Sequence, residues 1–143
     1  MANLIKVEVA SSESLIYSGD VEYLVAPAYD GEIGIYPRHT PLIAKLKPGV
    51  LRLKLADKAE NLILAISGGF IEVQPDVVTI LSDVVVRTAE LDEQKLVEQK
   101  LQAQELINRK GLESSKDVEK AYATLEMAIA QLKALDYIKK QKH

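Results

Sequence analysis

Residues 50–66 read VLRLKLADKAENLILAI, and this stretch decides the fold of the first half of the chain. Leucines alternate with Arg52 and Lys54 over residues 50–55, which is typical of a strand that buries one face. Polar residues 56–61 then turn the chain, and residues 62–66 return as a continuously apolar strand. The stretch therefore predicts two neighbouring strands, with the leucines of the first facing the core.

Similar strand patterns lie on both sides of this pair. Short apolar or alternating stretches occupy residues 4–9, 21–26 (ending at Pro27), 70–73 and 77–86. Ser18-Gly19-Asp20 predicts a turn between the first two. Short strands with turn signals at about 8–12 residue spacing favour a sandwich or barrel, and no helical pattern lies between them to cross over a parallel sheet.

The second half of the chain follows a helical pattern. All five prolines and six of the seven glycines precede residue 89, and Gly111 is the exception. Leu91 and Leu96 flank Asp92, which predicts a helix capped by the Asp92 carboxylate and stapled by the two leucines. This helix is expected to end just before Gly111, which fits the left-handed position beyond a helix end.

A second helix is expected after a short link, with Ser114 or Ser115 as its cap. Its apolar residues step by four and three: Ala121, Leu125, Ala128, Leu132 and Leu135. This narrow seam, whose alanines permit close approach, and the short link together predict an antiparallel hairpin. Because an isolated hairpin is marginally stable, it should dock on the first half of the chain or on a partner.

The expected fold is therefore α+β in two parts. Residues 1–88 form an N-terminal antiparallel β-sandwich, and residues 89–143 form a C-terminal antiparallel α-helical hairpin. A chain of 143 residues is long enough to bury a core of its own.

Composition excludes several classes of protein. The 18 basic and 21 acidic residues give a net charge of −3, which argues against a nucleic-acid binder. Cysteine is absent and histidine occurs only at His39 and His143, so no disulfide, thiol catalyst or multi-histidine metal centre is expected. No apolar run is long enough to cross a bilayer and no secretory pattern opens the chain, so we expect any membrane association to come through a partner.

Signatures of catalysis are missing as well. The sequence contains no phosphate-binding loop, dinucleotide fingerprint, nucleophile elbow or zinc-protease helix motif. Ser67, which precedes two glycines, fits a turn between strands better than a nucleophile, because one distant histidine is the only plausible base. We therefore expect a protein that is not an enzyme.

Residues 31–42, GEIGIYPRHTPL, are the most unusual segment of the first half. Two glycines and two prolines restrict the backbone, while Glu32, Arg38 and His39 supply polar groups. One interpretation is a rigid connection between strands. The other is a preorganised docking loop, because binding residues often lie on loops held by a rigid scaffold.

Two motifs of the first half resemble a known family. Residues 31–42 are similar to the signature G-E-[IL]-G-[IL]-x-P-x-H-x-P-L, and residues 67–75, SGGFIEVQP, are similar to the strand motif S-G-G-[FIV]-[IL]-E-V-x-P. Residues 78–81 and 91–93 continue the similarity. Over essentially its whole length the chain thus resembles the ε subunit of bacterial F-type ATP synthases, the counterpart of the mitochondrial δ subunit.

The resemblance implies a non-catalytic subunit in the central stalk of a rotary, proton-translocating ATP synthase. Its sandwich would clamp the γ subunit and rest on the ring of c subunits, and Glu32 would be the best candidate to meet polar loops of the c ring. The residues that match the docking segment are Gly31, Glu32, Gly34, Arg38 and His39. Such a subunit would be peripheral, held by the complex at the cytoplasmic face of the bacterial inner membrane.

The resemblance also implies a regulatory role for the hairpin. Folded against the sandwich it would be permissive, and extended along γ it would reach the α and β subunits and restrain ATP hydrolysis. Lysines of the last eleven residues are the candidates for an inhibitory contact with acidic residues of β: Lys133, Lys139, Lys140 and Lys142.

Some members of this family bind ATP at the hairpin, through an [IL]-D-x-x-R-A motif and two arginines of the second helix. This chain keeps Leu91 and Asp92 but has Lys95 where the motif has arginine. Met127 and Gln131 stand where the other two arginines are expected. Because lysine lacks the planar fork with which arginine holds a phosphate, the resemblance implies no cofactor and at most a weak nucleotide contact at Asp92 and Lys95.

A different class of protein stays open as an alternative: a free-standing adaptor or chaperone that grips partner chains with its helical hairpin. This alternative predicts a chain found apart from ATP synthase and no rotor-facing role for residues 31–42. A gene placed directly after that of the β subunit would favour the synthase instead.

Overall fold

The computed structural model describes residues 3–109 and 115–141. Within these ranges the first half of the chain forms nine strands and a short 3-10 helix, and the second half forms two α-helices. The strands are β1 (Ile5–Ala10), β2 (Leu15–Ala28), β3 (Gly31–Ile35), β4 (Leu42–Leu46), β5 (Gly49–Leu55), β6 (Asn61–Ile66), β7 (Gly69–Val73), β8 (Val77–Leu81) and β9 (Val85–Arg87). The 3-10 helix spans Thr88–Glu90, α1 spans Glu93–Asn108 and α2 spans Ser115–Gln141.

The strands form two packed layers that share β2. One layer has the order β2-β1-β8-β7-β4, and the other has the order β3-β2-β5-β6-β9. Because β2 is 14 residues long, its first half pairs with β1 and its second half pairs with β3 and β5. Among the described residues every pairing is antiparallel except that of β1 with β8. The expected β-sandwich is confirmed, with one parallel pairing added.

The prediction of a turn at Ser18-Gly19-Asp20 is wrong, because β2 continues through these residues. They pair with residues 6–8 of β1. A Cβ on Gly19 would lie 2.6 Å from the hydroxyl oxygen of Tyr17. Glycine at this position therefore makes room for the Tyr17 ring inside a strand instead of turning the chain. The strand also continues past Pro27, to Ala28.

The strand expected over residues 77–86 is two strands in the structure. Residues 82–84 separate β8 from β9 and carry the chain from one layer to the other. Ser82 Oγ donates to the Val84 carbonyl at 3.1 Å, and the Val84 amide donates to Ser67 Oγ at 3.0 Å. These bonds satisfy backbone groups that leave the sheet, so the crossing requires neither glycine nor proline.

Two apolar clusters stabilise the chain. The larger fills the space between the two layers and includes Leu51 and Leu53, the inward leucines of β5. The smaller lies on the opposite face of β5 and β6, where α2 packs, and its buried members are Val50, Ile63, Ala65, Ala130 and Ala134. Strand β6 is therefore buried on both faces, which explains why residues 62–66 are continuously apolar.

The two helices form the expected antiparallel hairpin, because the last turn of α2 lies beside the first turn of α1. The Asp92 carboxylate caps α1 as predicted and accepts hydrogen bonds from two backbone amides of the first turn. Ala121 and Ala128 of the predicted seam are buried, and its three leucines are half-buried. Ala103 of α1, which the prediction did not include, is buried as well.

Part of the link between the helices falls outside the described residues, and with it the predictions for Gly111 and Ser114. The second helix begins at Ser115. Neither of the described helices combines the length and the hydropathy that a membrane span requires.

Candidate functional site

Residues 31–42 form two strands joined by a loop. Gly31 starts β3 with a φ of 126°, in a region that glycine adopts far more readily than other residues. Glu32 and Gly34 lie within β3 and pair with β2. The loop is confined to residues 36–41, and β4 follows it. Because glycine is depleted in strands, the two glycines are the reason that β3 was not predicted from the sequence.

Glu32 lies at the edge of the surface on which α2 packs. Its Oε2 atom lies 3.4 Å from Nη2 of Arg52 on β5. The guanidinium carbon of Arg52 lies 4.6 Å from the centroid of the Tyr137 ring on α2. A cleft of about 390 Å³ between the strands and α2 is lined by Glu32, Lys47 and Lys133, among others. Glu32 is thus connected to the hairpin through Arg52.

Arg38 and His39 lie in the loop at the other end of β3. The Arg38 amide donates to the Pro75 carbonyl at 3.0 Å, which fixes the loop against the turn between β7 and β8. The His39 ring donates from Nδ1 to the Thr40 carbonyl, at 2.6 Å. Four residues of strand, about 13 Å, separate Glu32 from the start of the loop. The structure therefore brings Arg38 and His39 together and places Glu32 elsewhere.

The outer face of β4, β7 and β8 carries an apolar patch that the sequence reading missed. Ile43, Phe70 and Leu81, which we call the outer strip, are 72%, 55% and 54% exposed. Phe70 pairs directly with Leu81, and Ile43 pairs with Glu72, two residues from Phe70. Side chains at such positions lie within reach of one another on one face of a sheet. Strict alternation along β7 would have placed Phe70 on the solvent-facing side, but only the strand order shows that Ile43 and Leu81 lie beside it.

Two of the four hairpin lysines form ion pairs within the chain. Lys139 Nζ lies 2.7 Å from Glu93 Oε2 on α1, and Lys140 Nζ lies 3.1 Å from a carboxylate one turn earlier on α2. Lys133 lines the cleft beside β3, and Lys142 lies outside the described residues. A contact of Lys139 with another subunit would therefore require its pair with Glu93 to break.

The residues expected to make a weak nucleotide contact lie at the start of α1. The Asp92 carboxylate accepts two backbone hydrogen bonds as the helix cap, and the Lys95 side chain is exposed. A groove of about 420 Å³ between the helices lies farther along, where Gln102, Leu106 and Lys120 contribute to its lining. Asp92 and Lys95 do not line this groove.

Ser67 has the structural role that the turn interpretation predicts. Its hydroxyl accepts from the Val84 amide and lies 3.3 Å from the Ser82 hydroxyl, at the crossing between the two layers. Across residues 3–109 and 115–141, no three acidic or histidine side chains come together in a metal-binding group.

Comparison with known proteins bears on both halves of the chain. Residues 4–88 match the family model described as ATP synthase, Delta/Epsilon chain, beta-sandwich domain. An ATP synthase epsilon chain of Chromobacterium violaceum is 48% identical over 138 residues, which cover 96% of this chain and 97% of the relative. An ATP synthase epsilon chain of Neisseria meningitidis serogroup C is 45% identical over 140 residues, which cover 98% and 99%.

Solved structures share the fold at lower sequence identity. A chain of the mitochondrial ATP synthase of Euglena gracilis superposes with a TM-score of 0.80 at 23% identity, covering 94% of this chain and 82% of that one. A chain of the Tetrahymena thermophila mitochondrial enzyme superposes with a TM-score of 0.60 at 14% identity, covering 91% and 95%. The relatives confirm the resemblance that the two motifs indicated, and this chain belongs to the ATP synthase epsilon chain family.

Proposed function

We propose that this chain is a non-catalytic rotor subunit of an F-type, proton-translocating ATP synthase. In this role it occupies the central stalk, couples rotation of the c ring to the catalytic head, and restrains ATP hydrolysis through its hairpin. The observation that carries the proposal is that relatives named ATP synthase epsilon chain match both halves of the chain, over 96–98% of its length. The similar solved chains come from assemblies described as OSCP/F1/c-ring and as central stalk/c-ring.

The outer strip supports docking on the γ subunit. Large apolar side chains exposed together on one face of a folded domain are typical of an interaction site. The strip lies on the outer face of one layer, whereas α2 covers the outer face of the other layer, on β5 and β6. A partner bound to the strip therefore leaves the hairpin in place, so the same chain can dock on γ and keep a movable segment.

The two ends of β3 support contact with the c ring. Glu32 at one end and Arg38 at the other are exposed and charged, which suits the polar loops of a membrane subunit. His39 holds the loop through Thr40, and Gly31 and Gly34 shape the strand between. Contact with the membrane then comes only through the complex, at the cytoplasmic face of the inner membrane.

The way in which α2 is held supports a hairpin that moves. Its contact with the sheet combines the single methyl groups of buried Ala130 and Ala134 with the half-buried side chains of Met127, Tyr137 and Ile138. At the rim, Gln141 accepts from the Asn61 amide at 2.6 Å and donates to its carbonyl at 3.4 Å. An element held largely by half-buried side chains opens at a lower free energy than one at the centre of a core. In the extended form the hairpin would present Lys133, Lys139, Lys140 and Lys142 to acidic residues of the β subunit.

Copurification tests the proposal. An affinity tag on this chain should recover γ and the other synthase subunits from the source membranes. Phe70→Asp should abolish the recovery, because it places a charge in the outer strip. Leu101→Asp is the matched control: Leu101 on α1 is also 55% exposed but lies outside the strip, so γ should still be recovered. A tagged chain that recovers no synthase subunit would support the adaptor or chaperone alternative instead.

A further inference from the structure

Arg52 lies where strands β3 and β5 meet helix α2. It stands on β5, opposite Val25 of β2 and Ile63 of β6. Its guanidinium contacts the Glu32 carboxylate on one side and the Tyr137 ring on another. Its Nε atom is buried and has no hydrogen-bond partner among the described residues. One carboxylate and one aromatic face therefore surround a largely covered positive charge.

The position of Glu32 determines how favourable it is for α2 to cover Arg52. Covering an unpaired charge costs more free energy than covering a charge that has a counterion. Glu32 supplies the counterion, and the face of the Tyr137 ring attracts the guanidinium. Docking of α2 is therefore more favourable when the Glu32 carboxylate is bound to Arg52 than when it is turned away.

We propose that Glu32, Arg52 and Tyr137 couple the surface around Glu32 to the position of the hairpin. A cationic group of a partner that binds Glu32 takes the carboxylate away from Arg52 and weakens the docking of α2. Because coupling between two sites is reciprocal, a docked hairpin lowers the affinity of Glu32 for that cationic group by the same factor. The proposal rests on contacts within this chain and holds whether or not the partner is the c ring.

A neighbouring ion pair supplies a matched control. Glu22 Oε2 lies 3.1 Å from Lys54 Nζ, and their side chains are 40% and 22% exposed, against 42% and 24% for Glu32 and Arg52. Lys54 stands two residues from Arg52 on the same face of β5. It donates to the carbonyls of Leu55, at the end of β5, and of Lys58, in the turn that follows, and none of these partners of Lys54 belongs to α2.

Thiol labelling measures undocking of α2 in the full chain, which contains no cysteine. Ala130 is buried against β5 and β6, so Ala130→Cys reacts only when α2 has left the sheet. Its labelling rate, divided by that of an unstructured thiol peptide, gives the undocked fraction even when that fraction is small. Ala134→Cys reports on the same contact if Ala130→Cys fails to fold, because Ala134 is buried in the same cluster.

In either reporter background, Glu32→Gln should raise the labelling rate about 5-fold, which is the low end for coupled sites. Glu22→Gln should leave the rate unchanged. In a Tyr137→Ala background, where residue 137 no longer covers Arg52, Glu32→Gln should change the rate by less than about twofold. The proposal is overturned by an unchanged rate in Glu32→Gln, by an equal rise in Glu22→Gln, or by the full rise in the Tyr137→Ala background.

Discussion

Lys139 of α2 forms an ion pair with Glu93 of α1, with 2.7 Å between Nζ and Oε2. The pair joins the last turn of one helix to the first turn of the other, next to the Asp92 cap. It therefore holds together the end of the hairpin that lies opposite the link between the helices. A lysine that the family resemblance implicates in inhibition is thus also part of the contact between the two helices.

Charge reversal at this pair should lower the melting temperature in the single variant and restore part of it in the double variant. Glu93→Lys places two cations together, so it should lower the melting temperature, and adding Lys139→Glu should restore the part due to the pair. Exposed ion pairs contribute about 0–1 kcal/mol, which limits the change to a few degrees, roughly 4 °C at most. Calorimetry at low and high salt measures it, and salt should shrink the difference. A double variant as unstable as Glu93→Lys would contradict the pairing.

Truncation after Thr88 should leave a folded sandwich that assembles with γ, while ATP hydrolysis by the complex rises. The larger apolar cluster lies wholly within the strands, so it survives removal of the hairpin. Replacing the lysines at 133, 139, 140 and 142 by alanine should give part of the rise, and added salt should mimic it. Hydrolysis assays on matched complexes measure the effect. If the truncated complex hydrolyses ATP no faster than the intact one, the hairpin is not an inhibitor.

Gly69→Ala should strongly destabilise the sandwich. Gly69 has a φ of 133°, and a Cβ there would lie 1.9 Å from the Leu81 carbonyl oxygen. Backbone strain and overpacking each cost about 1–3 kcal/mol, so urea unfolding should show a loss of about 2–6 kcal/mol. Gly34→Ala is the control, because its Cβ would meet only the Tyr36 ring, at 3.8 Å. Similar midpoints for the two variants would refute this explanation.

Tyr17 should make the fold sensitive to alkali. Burial, and next the negative charge of Asp20, raise the pKa of Tyr17 above its ordinary value of 10.0. The folded state thus retains a proton that the unfolded state loses, so stability is complete below pH 10 and falls as the pH rises through the raised pKa. Tyr17→Phe should remove this part of the loss in denaturation curves at increasing pH. Tyr122→Phe, on the exposed side of α2, should behave as the parent chain.

ATP should bind the hairpin weakly. Lys95, Met127 and Gln131 stand where the ATP-binding members of the family have arginines, and the Asp92 carboxylate is engaged as a cap. Titration calorimetry on the full chain should show no micromolar site. The triple variant Lys95→Arg, Met127→Arg, Gln131→Arg should bind more tightly, because arginine holds phosphate with two parallel hydrogen bonds. Micromolar affinity in the parent chain would disprove the expectation.

Local patterns predicted the elements whose causes are local. Alternation identified β5 and placed Leu51 and Leu53 inside, and the residues around Asp92 identified the start of α1. The turn predicted at Gly19 is absent because glycine is needed there to leave space for the Tyr17 ring. Residue propensities do not describe such a contact. Strand β3 was not predicted for a related reason. Its two glycines pair with β2, and Gly31 begins the strand with a positive φ.

The candidate site was predictable only in part. The motif of residues 31–42 identified Glu32, but it did not identify Arg52 or Tyr137, which approach Glu32 only after the strands have paired and α2 has docked. The outer strip was missed because its three residues come from three strands, and neighbouring strands are known only from the topology. The features that were not predicted, the Arg52 contacts and the outer strip, thus depend on contacts between residues distant in sequence.

The alanines that α2 turns toward the sheet also bear on how fast the hairpin can respond. A methyl group contributes about 0.8 kcal/mol when buried, so the two fully buried side chains of α2 in this contact, Ala130 and Ala134, contribute little, and half-buried Met127, Tyr137 and Ile138 supply the rest. Small buried side chains lower the barrier to separation as well as the stability of the closed form. Motions of whole elements take microseconds to milliseconds when little must be broken. Leucines at the same two positions would slow the separation of α2 from the sheet, whereas alanines allow α2 to separate and dock again quickly.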